Sequence, residues 1–213
     1  MLVCAPLAAA APIDPGSFSG TVMVKSGGDD PVIDPLMEKS EALGLPSSGM
    51  VNVLSTFGNS ARGEWNIKQT GGVATLDLDG TTGVSAPFGV IPRVQAAISF
   101  VTLEPVTYRF AGDVFSPLYT AVFAGIVADR FPDLMQPGGV GGSIPKDGVF
   151  EFTGVLEPGE YSLTLDLEQG GRFQTGTASA ETRLELTVIP AASTGVAAVL
   201  WAWSAASRRR RCI

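Results

Sequence analysis

Three carboxylates, Glu151, Asp166 and Glu168, fall close together near the end of the chain. Glycoside hydrolysis needs two carboxyl groups about 5–9 Å apart across a sugar. These three, however, occupy the polar positions of alternating apolar segments, where solvent-facing side chains belong. Asp77-Leu78-Asp79-Gly80 and Asp29-Asp30 with Asp34 carry the hard oxygen donors that suit Ca²⁺ in an extracellular loop. Neither stretch continues into the Asp-x-Asp-x-Asp-Gly pattern of a calcium loop. Both are expected to be turn aspartates, with Ca²⁺ kept as an alternative. Pro137-Gly138-Gly139-Val140-Gly141-Gly142-Ser143 is glycine-rich but lacks the Gly-Lys-Ser/Thr ending of a phosphate-binding loop, which points to a plain loop. Trp65 could stack on a sugar ring. Its setting, Glu64-Trp65-Asn66-Ile67, alternates in the manner of a strand and predicts a core position.

What the chain lacks narrows the chemistry further. It has no histidine, which removes Ser-His-Asp and Cys-His catalysis and every metal centre that needs imidazole. Its two cysteines, Cys4 and Cys212, lie near the two ends, so the body has no disulfide to form. No metal ligand set and no catalytic group is assigned. The net charge is −7, and four of the fourteen basic residues are the consecutive Arg208–Arg211; without those four the remainder carries −11. Such a surface repels phosphate backbones, so no nucleic-acid partner is expected.

The elements that must position these residues follow from hydropathy. Hydrophobic residues make up 45% of the chain and charged residues 16%, enough apolar surface for a core. The 26 glycines and 15 prolines punctuate short apolar runs, as turns between strands do. Period-two alternation predicts strands at Phe18–Val24, Met50–Thr56, Glu64–Gln69, Val73–Leu78, Val94–Leu103, Val106–Phe110, Tyr119–Val127, Val149–Leu156, Tyr161–Leu167 and Arg183–Val188. The fold class this predicts is all-β, an antiparallel sandwich or jelly roll. In the clearest segment, Val149–Glu168, two alternating runs flank Glu157-Pro158-Gly159-Glu160 and predict a hairpin. Tyr161, Leu163, Leu165 and Leu167 would line its buried face. Pro35–Leu45, with Met37, Glu38, Lys39 and Glu41, predicts one short helix.

The two ends carry signals of a different kind. Residues 1–11 are apolar and end in small residues with an Ala-x-Ala pattern at Ala8 and Ala10, as at the end of a secretory signal peptide. Residues 12–190 are expected to form the sandwich domain and residues 191–213 a tail. There Ile189-Pro190-Ala191-Ala192-Ser193 leads into the apolar stretch Thr194–Ala206 and then into Arg208, Arg209, Arg210 and Arg211. Ser193 or Thr194 can cap a helix start, and Val, Ala, Leu and Trp suit lipid or its interface. At about 1.5 Å per residue, a helix of roughly thirteen to eighteen residues is near or below a hydrocarbon thickness of about 30 Å, with the arginines as a membrane stop.

This order resembles the PEP-CTERM sorting signal, in which a Pro-Glu-Pro-like motif, a short transmembrane helix and an arginine cluster direct exported proteins to an exosortase. Pro190 stands at the first Pro of that motif, with Ala191 and Ala192 in place of its Glu and second Pro. The resemblance covers the last 25 residues or so. It implies an exported protein of the cell surface or extracellular matrix, held by its C-terminal helix and read by an exosortase-like sorting protease. The body would then have a structural, non-enzymatic role. A carbohydrate-binding module recognising exopolysaccharide, with or without Ca²⁺, stays open as the alternative. It would be favoured by finding Trp65 and the Asp77/Asp79 loop exposed and adjacent.

Overall fold

Alternation along the chain produces strands wherever one face can be buried, and among the described residues it produces eleven. The computed structural model describes residues 10–27, 35–85, 91–115, 120–128, 147–169 and 175–189. The strands are β1 (Ser19–Ser26), β2 (Met37–Leu43), β3 (Ser47–Leu54), β4 (Ser60–Thr70), β5 (Val73–Val84), β6 (Arg93–Thr102), β7 (Val106–Phe115), β8 (Thr120–Ala128), β9 (Gly148–Leu156), β10 (Gly159–Gln169) and β11 (Gly176–Val188). They form two antiparallel sheets, ordered β2-β1-β6-β10-β8 and β3-β4-β5-β11-β7-β9. The architecture is all-β and sandwich-like, as the alternation predicts. Tyr161, Leu163, Leu165 and Leu167 all point into the core, and Phe152 packs against it.

Two expectations are corrected. Pro35–Leu45 contains no helix: Met37–Leu43 is the edge strand β2, paired residue for residue with β1 from Gly20↔Leu43 to Ser26↔Met37. Met, Glu and Lys favour helices in isolation, but β1 offers an open ladder of backbone donors and acceptors, and satisfying it outweighs propensities of a few tenths of a kcal/mol. Lys39 and Glu41 stand opposite the buried Val24 and Val22 yet remain exposed. Charges at core-side positions of an edge strand discourage another chain from pairing there.

The second correction concerns Val149–Glu168, which is not a hairpin. β9 pairs with β7 in one sheet, while β10 lies between β6 and β8 in the other. The Glu157-Pro158 connection is therefore an arch between sheets. Its carbonyl at Glu157 accepts from Thr102 Oγ1 at 3.0 Å and from the Tyr161 hydroxyl at 2.7 Å. Only β1–β2, β3–β4 and β4–β5 are sequential hairpins among these strands. The β4–β5 turn is Gly71-Gly72, with φ of +58° and +34°, the left-handed pair that a two-residue hairpin turn demands.

Glycines inside strands make room for the core. Trp65, Tyr108 and Phe150 each lie over a glycine directly opposite on the neighbouring strand, Gly49, Gly154 and Gly112 respectively. Gly63 and Gly80, opposite one another on β4 and β5, form a floor for the other sheet: a Cβ would stand 2.7 Å from Val22 Cγ1 at the first and 3.3 Å from Val94 Cγ1 at the second. Each wholly buried leucine packed between the sheets contributes about 1.5–3 kcal/mol.

The N-terminal segment plugs one pole. Ile13 is wholly buried, and the Gln69 amide brackets its backbone: Ile13 N–H donates to Oε1 at 3.0 Å, and Nε2 donates to the Ile13 carbonyl at 3.1 Å. The last strand leaves by the same pole, where Val188 N–H donates to the Gly72 carbonyl at 2.9 Å. Replacing Gln69 by alanine strips both partners from a buried backbone and is expected to cost about 1–3 kcal/mol, measured by urea denaturation. A loss below about 0.5 kcal/mol would show that water replaces the clamp.

Candidate functional site

On a strand every second side chain faces outward, so register decides which outward residues become neighbours. In the six-stranded sheet, Glu64 of β4 stands opposite Asp79 of β5, Asp79 opposite Glu181 of β11, and Glu181 opposite Asp113 of β7. Four acidic side chains thus form one row across four neighbouring strands, with Met50 of β3 and Val149 of β9 at its ends. With strands about 4.8 Å apart, like charges placed directly opposite oppose folding. The row lies along a shallow groove of about 650 Å³ whose lining includes Asn66, Asp77 and Arg183.

The nearby arginines are already committed. Arg183 grips Asp77 with two bonds, Nε to Oδ1 at 2.6 Å and Nη2 to Oδ2 at 3.2 Å, and Arg62 pairs with Glu64. Asn66 Nδ2 also donates to Asp77 at 3.4 Å. No described basic side chain pairs with Asp79. Burial, followed by the charges of Glu181, Asp77 and Glu64, raises its pKa from 3.8 to about 6 against the opposing pull of Arg183. Asp79 can therefore hold or release a proton near neutral pH.

The structure corrects the turn reading of Asp77 and Asp79. Both project outward from the middle of β5, while the intervening Leu78 and the following Gly80 face the core. The run Val73–Leu78 simply continues to Val84, because β4 and β11 supply partners along its whole length.

Trp65 faces inward at 9% exposure, with its ring over Gly49, as its alternation predicts. It offers no exposed platform beside Asp77 and Asp79. Glu151, Asp166 and Glu168 do not converge. Glu151 pairs with Arg109 at 2.8 and 3.0 Å on the six-stranded sheet. Asp166 and Glu168 share Arg93 on the outer face of the five-stranded sheet, Arg93 Nε donating to Asp166 at 2.7 Å. Among the described residues, no group of three or more carboxylates or thiols is placed to hold a metal ion. Strand spacing holds the acidic row open as a line rather than closing it into a cage.

Asp29, Asp30 and Asp34, the glycine-rich 137–143, Cys4 and Cys212 lie outside the described residues, as do Pro190, Ala191, Ala192, Ser193 and Arg208–Arg211. Ile189 is the last described residue. It is 39% exposed, and its N–H donates to the Pro105 carbonyl at 3.3 Å. Among the described residues, no helix is long and apolar enough to cross a membrane.

Fold and site together define an antiparallel β-sandwich with an acidic row on one outer face. Compared with protein-family models, curated proteins and solved structures, the chain matches none.

Proposed function

We propose that the chain is an exported protein of the cell surface or extracellular matrix, with a structural or interaction role for its sandwich and a PEP-CTERM-like sorting tail that an exosortase-like protease reads. The observation that carries this is the order of the C-terminal residues: Ile189-Pro190-Ala191-Ala192-Ser193, a short apolar stretch, then Arg208–Arg211. Drawing an arginine into hydrocarbon costs about 2.5–3.5 kcal/mol, so four of them hold the far end of an apolar helix in the cytoplasm and leave Pro190 at the outer face. Proline has no N–H to extend the ladder of β11, so strand pairing is not expected to continue past Ile189 and the sorting motif is expected to be accessible to a protease. The fold suits such a tail. β11 and the N-terminal segment share one pole, so a tail leaving Ile189 would present the opposite pole away from the membrane. The carbohydrate-binding alternative loses its aromatic platform, because Trp65 is buried.

Mass spectrometry of the protein from its native host tests the proposal. The expected mature form ends near Pro190, and replacing Arg208–Arg211 by serine is expected to leave uncut or mis-sorted precursor. Recovery of the intact chain through Arg211 as the main form rejects the sorting tail.

A further inference from the structure

Four carboxylates in one cross-strand row have no evident part in sorting, and each adjacent pair opposes folding when ionised. We propose that Asp79, set directly between Glu64 and Glu181 in the outer face of the six-stranded sheet, is a protonation switch, which tightens the β4–β5–β11 seam when it holds a proton and loosens it when it is ionised.

The geometry supports this from every element packed around Asp79. β4 contributes Arg62 and Glu64, which pair with one another, with Lys68 four residues further along. On β5 itself stands Asp77, which holds Arg183 of β11. The remaining groups of β11 are Glu181, directly opposite Asp79, and Glu185. β7 adds Asp113 and Arg109, the latter engaged with Glu151 of β9. On β3 the outward residues flanking the row, Met50 and Asn52, carry no charge. Every arginine around the row is paired with some carboxylate other than Asp79, and three acids press on it. A proton is the smallest cation that relieves this repulsion, and it needs no cage.

Because the folded value of Asp79, about 6, lies above the ordinary aspartate value of 3.8, the folded chain binds the proton more tightly than the unfolded chain. The resulting stability is fully present below pH 3.8 and disappears as pH rises through about 6. Between pH 7.5 and 5.0 the site alone raises the folding equilibrium constant about tenfold.

The test uses the full chain, with urea denaturation at pH 7.5 and 5.0 and carbon-detected NMR titration of the side-chain carboxyls. Asp79→Asn is expected to be more stable than wild type at pH 7.5 and to lose the tenfold share of the pH response. Glu181→Gln keeps Asp79 but removes its strongest charged neighbour, and it is expected to move the Asp79 midpoint downward. Glu160→Gln, exposed on β10 of the other sheet, serves as the control and leaves both readouts unchanged. An Asp79 midpoint near 4 in wild type, or the same pH response in Asp79→Asn as in wild type, overturns the proposal. So does an unmoved midpoint in Glu181→Gln.

Discussion

Replacing Gly112 by alanine is expected to cost about 3 kcal/mol or more, a large share of the roughly 5–15 kcal/mol that a domain usually has. A Cβ built there would stand 2.3 Å from the Glu181 carbonyl oxygen and 2.6 Å from Cζ of the Phe150 ring. The ring could turn aside, but the carbonyl cannot. It belongs to β11, which is laddered to β7 on one side and to β5 on the other, so moving it breaks pairing in the middle of the six-stranded sheet. Gly154→Ala provides the comparison. The atoms nearest its Cβ would belong to the Tyr108 ring, the first at 2.7 Å, near the sheet edge, so a smaller loss is expected. Urea denaturation of the two variants measures the difference. A Gly112→Ala variant within about 1 kcal/mol of wild type would show that β7 and β11 can separate locally without cost.

Phe110→Ala is expected to cost about 3–5 kcal/mol, a large share of the roughly 5–15 kcal/mol that a domain usually has. Phe110 is wholly buried, 5.3 Å from the ring of Phe150, which in turn lies 5.8 Å from Phe152. Truncation removes the most deeply buried ring of this cluster, at one end of the row, and leaves a cavity between sheets held apart by backbone ladders, so collapse cannot fill it. Phe115, five residues on along the same strand, is 54% exposed, and Phe115→Ala is expected to change stability by no more than about 0.5 kcal/mol. Thermal melts of both variants decide the matter: equal shifts would mean that the Phe110 pocket closes after truncation.

The acidic row shows where reading the chain in order stops being informative. Asp77 and Asp79 were visible as a pair, but a following glycine made them look like a turn. Gly80 is instead a core residue, a floor for Val94 and Leu165 of the facing sheet. Once β5 is known to run to Val84, its alternation alone puts both aspartates outside. No local pattern, however, shows that Glu181, about a hundred residues away, is the cross-strand neighbour of Asp79, or that Asp113 completes the row.

By itself the sequence determined that the body is built of strands and which residues face inward along Tyr161–Leu167 and at Trp65. Side-chain alternation is a property of the extended backbone and needs no partner to be expressed. It also carries the whole case for the proposed tail, because partition between water and lipid, the property that reading rests on, depends on composition and order alone. Only the tertiary structure decided that Met37–Leu43 is a strand, that β9 and β10 belong to different sheets, and that four acids meet in one row. Each of these depends on which backbone edge is left unpaired when the sheets assemble, and that edge is supplied by residues far away in the chain.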